Sequence, residues 1–180
     1  MKIKIIIFFK FVIPALLGLG LISTYKLVPY RLSYNFSNSE AKGFYLLDVR
    51  KRNYYRMGDL VIVCIPDKNL ANIALERGYL SKGQCSYGTA YEVKHIAALF
   101  PMMVEINQHT IAINNHKIRI LYRDNKGIPL MSKLKIGVIP ENYYFVLGKT
   151  NNSFDSRYYG LVPVEFIKGV AYPLFTWDSV

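Results

Sequence analysis

Short runs of β-branched and aromatic residues, each bounded by turn-forming residues, recur through the chain after residue 31. Such runs are typical of strands, and we predict strands at residues 44–47, 60–65, 110–113, 117–122 and 143–148. Only residues 69–77 place apolar side chains at helical spacing, and Gly78 follows as a stop signal. The absence of any longer amphipathic period disfavours a helical bundle or a parallel α/β sheet, so we predict a mainly β domain.

Tight turns are predicted between these strands. Asn114, Asn115 and His116 form a polar link between two of the runs, and asparagine tolerates left-handed backbone, so we expect a hairpin there. Residues 124–127 and 140–142 combine Asp, Asn, Gly and Pro in the manner of further turns.

The first residues of the chain differ in character from the rest. A basic tip, Met1–Lys4, precedes the segment Ile5–Ser23, which is almost wholly apolar apart from Lys10. Its length of about 19 residues compares with the roughly 20 that a helix needs to cross a bilayer. Two interpretations fit: a cleaved signal peptide with its apolar region beginning at Phe11, or a retained transmembrane anchor.

We favour the anchor, because no small-x-small cleavage site follows Leu21 and because Tyr25 and Tyr30 lie where an interfacial aromatic belt is expected. Positive charges before the apolar segment slightly outnumber those just after it, which favours a cytoplasmic amino terminus. We therefore predict one N-terminal transmembrane helix or uncleaved signal segment in residues 1–30, followed by a folded domain in residues 31–180.

Charge and cysteine content restrict the possible cellular compartments and binding partners. The formal net charge is +11, but the Lys and Arg residues are scattered and no RNA-binding or zinc-finger spacing occurs, so we expect no nucleic-acid partner. The two cysteines, Cys64 and Cys85, fit neither a CxxC motif nor a zinc site. They form either one disulfide in an exported domain or a pair of unlinked buried cysteines.

The catalytic options are few. His95, His109 and His116 lack metal-ligand spacing, and neither HExxH nor GxSxG occurs, so we expect no metal or cofactor and no Ser-His-Asp site. A lysine can activate a serine instead, provided that its amine is neutral and within hydrogen-bond reach. Lys94 is the candidate because apolar residues surround it in the sequence, although many lysines in such a context reach the surface through their stems.

Several ordered motifs resemble one peptidase family. The segments are Asn35–Tyr45 (NFSNSEAKGFY), Gly58–Val61 (GDLV), Arg77–Leu80 (RGYL), Lys94–Ala98 (KHIAA) and Gly148–Gly160 (GKTNNSFDSRYYG). Together they are similar to the conjugative-transfer signal peptidases of the TraF type, a branch of the Ser-Lys signal peptidase family, and the likeness spans Asn35–Trp177. The resemblance implies a signal-peptidase-like, β-rich catalytic domain.

The resemblance also implies roles for single residues. Ser39 matches the nucleophile and Lys94 the general base, while the Ser39 amide and the Ser37 hydroxyl match the oxyanion donors. Ser153 matches the residue that orients the lysine, and Asp155 and Arg157 match a charge pair that supports the site. Ser37 is equally compatible with a simple turn hydroxyl, and the charge pair with an ordinary surface pair.

Three positions depart from the family pattern. Ala41 stands where the family usually has proline, which is expected to loosen the turn that presents Ser39. Lys149 stands where the general signal peptidases have aspartate. Phe100–Met103 replaces the Gly-Asp that normally follows the lysine motif.

By resemblance, the chain is expected to be a serine endopeptidase of the bacterial inner membrane, with its catalytic domain on the periplasmic side. The expected partners are the lipid bilayer and a protein substrate, either a pilin precursor or another exported protein with a signal segment. Hydrolysis and cyclisation of the product are both known in the family. The alternatives are a housekeeping signal peptidase and an inactive assembly subunit of a secretion system.

Overall fold

The structure, a computed structural model, describes residue 11 and residues 28–114 and 116–177. The chain divides into two compact units, Met1–Tyr30 and Arg31–Val180. Nearly all of the predicted N-terminal anchor lies outside the described residues. Among the residues that are described, no helix combines the length and the apolar character needed to cross a membrane.

The described part of the chain is mainly β, which confirms the predicted class. Its elements, in chain order, are β1 (Tyr30–Asn35), β2 (Lys42–Asp48), β3 (Leu60–Val63), α1 (Lys68–Glu76), β4 (Glu92–Leu99), β5 (Met103–Asn107), β6 (Thr110–Ile113), β7 (His116–Arg119), β8 (Gly137–Val138), β9 (Tyr143–Leu147), α2 (Ser156–Tyr159), β10 (Val162–Pro163), a 3₁₀ turn (Val164–Phe166) and β11 (Ile167–Trp177).

The described strands form two sheets. The larger has the order β1-β2-β11-β3-β4-β9-β10, and the smaller has the order β7-β6-β5-β8. Strand β11 pairs antiparallel with both β2 and β3, and β4 pairs antiparallel with both β3 and β9. Strand β4 is therefore an interior strand of the larger sheet, which gives the side chains on it fixed positions.

Both faces of this interior region are covered. One core packs Val61, Ile96 and Val146 of the larger sheet against helix α1. A second core joins Phe145 of β9 to the smaller sheet, and a third, smaller one lies around Tyr45 of β2. Each fully buried aliphatic or aromatic side chain contributes about 1.5–3 kcal/mol relative to exposure.

Helix α1 begins and ends close to the predicted bounds. The Asp67 side chain caps it by accepting a hydrogen bond of 2.9 Å from the Leu70 amide. Gly78 follows the helix with a φ of 70°, a conformation that glycine adopts without steric cost. The predicted hairpin is also present, with Asn114 at a φ of 46° between β6 and β7.

The sequence prediction missed six of the described strands: β1, β4, β5, β8, β10 and β11. In β4 the charged Glu92 and Lys94 lie on the buried face, so the usual correspondence between apolar residues and the core is inverted. In β11 residues 172–177 are exposed and include Pro173, which is uncommon inside a strand. The predicted strand at residues 117–122 is correct in kind but ends at Arg119.

The structure joins Cys64 and Cys85 by a disulfide, across a sequence separation of 21 residues. On the chain-entropy model, closing a loop of this size stabilises the fold by about 3 kcal/mol. We predict that the Cys64→Ala/Cys85→Ala variant loses roughly this free energy of unfolding in urea denaturation. Cys85→Ala alone should lose a similar amount, because either change removes the same bond. Two alkylatable thiols in protein isolated from an oxidising compartment would contradict the bond.

Candidate active site

The turn that carries Ser39 is held by one asparagine. The Asn35 side-chain amide donates to the carbonyls of Ser37, Glu40 and Ala41 at 3.3, 3.1 and 3.1 Å, and its oxygen accepts from the Ser37 amide at 3.1 Å. The Tyr45 hydroxyl adds a second bond of 2.5 Å to the Ala41 carbonyl. These bonds fix the turn at the position where the family usually has proline.

Ser39 itself is partly buried, with both of its backbone groups engaged. Its amide donates to the Ser37 hydroxyl at 3.4 Å, a long bond, and its carbonyl accepts from the Lys149 amide at 2.6 Å. Both groups implied as oxyanion donors therefore lie side by side. Lys149, the residue that departs from the family pattern, holds the turn through its backbone.

Lys94 is buried in the middle of β4, with only 1% of its surface exposed. Its amine lies 2.8 Å from the Ser153 hydroxyl and 2.8 Å from the Oε2 atom of Glu92. Ser153 is the partner implied by the family resemblance. Glu92 was not among the residues predicted from the sequence, although residues i and i+2 of a strand share one face.

The Ser39 turn and the loop that carries Ser153 meet at Gly148. A Cβ atom at this position would lie 2.3 Å from the Ser153 hydroxyl oxygen and 2.8 Å from the Ser39 carbonyl oxygen. Within the described residues, no hydrogen bond joins Ser39 to Lys94. The Lys94 amine is bonded to Ser153 and Glu92 instead.

Asp155 and Arg157 form a buried pair rather than a surface one. Their side chains are 0% and 2% exposed, and the guanidinium contacts both carboxylate oxygens, at 2.8 and 2.7 Å. Asp155 also accepts from the Gly148 amide at 3.0 Å, while Arg157 donates to the carbonyls of Thr150, Asn151 and Ser153. The pair thus fixes the loop that carries Ser153.

A second pair links the Ser39 turn to β4 from the opposite face. Glu40, which follows Ser39, is buried, and its carboxylate lies 3.0 Å from Nδ1 of His95, which follows Lys94. The two residues are 55 positions apart, so no local sequence signal could have brought them together.

The electrostatics of the lysine site are set by burial. Burial raises the pKa of the Glu92 carboxyl above its ordinary value, and the charge of Lys94 opposes this rise. Burial also raises the pKa of Tyr159 well above its ordinary value, and the charges of Glu92 and Asp155 add to that effect. Glu92 Oε1 and the Tyr159 hydroxyl have no hydrogen-bond partner in the described part of the chain.

A cleft of about 780 Å³ opens onto Ser37 and Ser39. A cleft of this size is within the usual range of ligand sites. In the described part of the chain, no three His, Cys, Asp or Glu side chains are grouped to hold a metal ion. The walls of the cleft carry aromatic, basic and acidic side chains, including Phe36, Lys42, Arg77, Tyr79, Glu92, Arg123, Asp124, Lys126, Phe154 and Tyr158.

Comparison with known proteins first gives a class. Residues 5–177 match the model of a family described as signal peptidase, peptidase S26. A solved signal peptidase I from Enterococcus faecalis covers 65% of this chain and 96% of its own at 20% identity, with a TM-score of 0.35. A TM-score this low is insufficient for a conclusion about fold or site.

Two curated relatives narrow the class. A probable conjugal transfer protein TraF of Sinorhizobium fredii is 31% identical over 91% of this chain and 90% of its own length. The conjugal transfer protein TraF of Agrobacterium tumefaciens is 34% identical over 82% of this chain and 83% of its own. The chain therefore belongs to the signal peptidase family, peptidase S26, within its group of TraF proteins.

The contact at Gly148 gives a direct prediction. Gly148→Ala should strongly reduce any peptidase activity of this site, because the new methyl group overlaps the Ser153 hydroxyl and the Ser39 carbonyl. Gly88→Ala is the comparison variant: a Cβ there meets nothing within 4 Å, although its positive φ adds a backbone strain that Gly148→Ala lacks. The measurement is kcat/KM for a peptide substrate together with the melting temperature. Full activity of Gly148→Ala would contradict the close packing of the two loops.

Proposed function

We propose that this chain is a membrane-anchored serine endopeptidase in which Ser39 is the nucleophile and Lys94 the general base. The observation that carries the proposal is the buried Lys94 amine, which lies 2.8 Å from Ser153 in a loop that packs on the Ser39 turn at Gly148. An ordinary surface lysine stays hydrated and charged, whereas a low-dielectric site disfavours the charged form. Burial of this kind is what a lysine base requires.

The proposed reaction uses the chain's own groups throughout. The neutral Lys94 amine takes the Ser39 hydroxyl proton as Oγ attacks the scissile carbonyl, which forms the Oγ–C bond and leaves an oxyanion. The Ser39 amide and the Ser37 hydroxyl donate to that oxyanion. The Lys94 ammonium then gives its proton to the leaving amine as the peptide bond breaks, and a nucleophile releases the acyl group from Ser39.

The proposed substrate is a protein with a signal segment. The signal peptidase family supports this class, and the cleft beside Ser37 and Ser39 is lined by aromatic and charged side chains that can contact a peptide. The names of the TraF relatives support a pilin precursor or another conjugation protein. If water attacks the acyl-enzyme the product is linear, whereas attack by an amine of the same chain gives a cyclic product.

The proposed setting is the periplasmic face of the inner membrane. A patch of aromatic side chains near the cleft supports contact with lipid: Tyr34 packs on Phe36, Phe44 and Trp177, and Trp177 packs on Phe175. Phe36 is 80% exposed and Phe175 is 70% exposed, which is unusual for rings in contact with water alone. The Cys64–Cys85 disulfide supports an oxidising compartment.

Substitution of the two serines tests the nucleophile. Ser39→Ala should reduce cleavage to background while the fold is kept, because a methyl group cannot form the acyl-enzyme. Ser37→Ala should lower kcat by about 10²–10³, the cost of one oxyanion donor. The measurement is turnover of a peptide that spans the cleavage site, with the exposed Ser81→Ala as control.

The outcomes are distinct for the two serines. Equal turnover by the wild-type protein and Ser39→Ala would overturn the proposed nucleophile. An unaffected Ser37→Ala would leave Ser37 with the structural role of a turn hydroxyl. Cleavage only of general secretory signal peptides would favour a housekeeping signal peptidase.

Two substitutions of Lys94 test the base. Lys94→Arg should be inactive because a guanidinium stays charged, and Lys94→Met should be inactive because it has no amine; a loss of about 10²–10⁴ is expected for a general base. Lys117→Met, on the exposed side of β7, is the matched control and should keep full activity. Retention of wild-type kcat/KM by Lys94→Arg would exclude the dyad.

A further inference from the structure

Glu92 has no part in the reaction described above, yet it is the carboxylate that touches the proposed base. Its Oε2 atom lies 2.8 Å from the Lys94 amine, and the two side chains are 5% and 1% exposed. We propose that Glu92 is a positioning residue for the proposed Ser39–Lys94 reaction, which holds the Lys94 amine by charge and thereby sets the pH range of the enzyme. The inference rests on the proposed function.

The backbone keeps the pair together. Glu92 and Lys94 are two residues apart on β4, so both point to the same buried face. Their strand is paired on one side with β3, where Val63 lies opposite Glu92 and Val61 opposite Lys94. An interior strand cannot shift without loss of both ladders, so Glu92 remains beside the amine.

Glu92 also faces the cleft. It lines the same cavity as Ser37 and Ser39, and its Oε1 atom is buried with no hydrogen-bond partner among the described residues. A buried carboxylate oxygen without a partner is costly, at about 1–3 kcal/mol or more for a charged group. Such an atom at the wall of a reaction cleft indicates a functional rather than a packing role.

The other groups around the pair do not cancel this charge. Ser153, from the loop after β9, is neutral, and Val61 on β3 is apolar. Both carboxylate oxygens of Asp155 contact the Arg157 guanidinium, so the charge of Asp155 is neutralised there. The Tyr159 hydroxyl of α2 stays neutral because burial raises its pKa. Glu92 is thus the charged group of the described chain that contacts the Lys94 amine directly.

The sign of the effect follows from electrostatics. A carboxylate at 2.8 Å favours the charged ammonium over the neutral amine. The acidic limb of activity should therefore lie at higher pH with Glu92 in place than with a neutral residue at position 92. The same contact makes Lys94 a stronger base when it takes the Ser39 proton, because the new ammonium forms next to the carboxylate.

Side-chain NMR tests the coupling without any need for activity. The protein would be labelled with ¹³C-lysine in the inactive Ser39→Ala background, and the Lys94 signal assigned through its loss in Lys94→Met. In Glu92→Gln we expect the protonation midpoint of the Lys94 signal to fall by about one pH unit or more. Glu105→Gln, an exposed substitution on β5, should leave the midpoint unchanged. An unmoved or raised midpoint in Glu92→Gln would overturn the inference.

Kinetics provide the second arm. In the protein with Ser39 intact, Glu92→Gln should move the acidic limb of the kcat/KM profile to lower pH. It should also lower the plateau at higher pH, so that the pH profiles of the wild-type protein and Glu92→Gln cross. A purely structural role would lower the plateau and leave the limb in place. Glu92→Asp keeps the charge but places it farther from the amine, so its limb should lie between those of the wild-type protein and Glu92→Gln; a limb equal to that of Glu92→Gln would contradict the role of charge.

The two arms separate the inference from the function on which it rests. A wild-type protein with no Ser39-dependent cleavage at any pH would remove the proposed function, while the NMR shift would still report the Glu92–Lys94 coupling. If Glu92→Gln fails to fold, Glu92→Asp in the Ser39→Ala background tests the inference instead, because the shorter side chain places its carboxylate farther from the Lys94 amine. A fall in the Lys94 protonation midpoint would support the inference, and an unchanged midpoint would overturn it.

Discussion

The buried pair of Asp155 and Arg157 is the interaction on which the rest of the site depends. The carboxylate caps helix α2 and holds the Gly148 amide, while the guanidinium holds carbonyls of the loop before it, including that of Ser153. Removal of one partner would leave the other charge buried and unpaired, at a cost of about 3–5 kcal/mol. The loop, and with it the hydroxyl that contacts Lys94, therefore keeps a single conformation.

This rigidity determines how closely the loop of Ser153 approaches the Ser39 turn. Gly148 packs against both the Ser39 carbonyl and the Ser153 hydroxyl, and the Lys149 amide donates to that same carbonyl at 2.6 Å. On the opposite face of β4, Glu40 and His95 join the Ser39 turn to the strand that carries Lys94. The turn is thus held from two sides, which lessens the dependence of its shape on the proline that Ala41 replaces.

The local pattern of apolar and turn-forming residues predicts much of the fold but only part of the candidate site. The strand at residues 143–148 and the helix at 69–77 were predictable because apolar residues there match the period of the element and turn residues bound it. Strand β4 could not be predicted in this way, because the charged residues Glu92 and Lys94 occupy its buried face. Departures of this kind from the apolar pattern are expected at functional sites. Ser153 could be proposed by family resemblance alone, and the Glu40–His95 contact needs the assembled sheet.

The central claim is that Ser39 is made nucleophilic by Lys94, and covalent labelling tests it most directly. The protein would be treated with a serine-reactive acylating probe and digested, and the adduct located by mass spectrometry. We expect one adduct on Ser39 in the wild-type protein, formed faster as the pH rises, and no adduct in the Lys94→Met variant. An adduct on another serine, or labelling of Ser39 at the same rate without Lys94, would contradict the account.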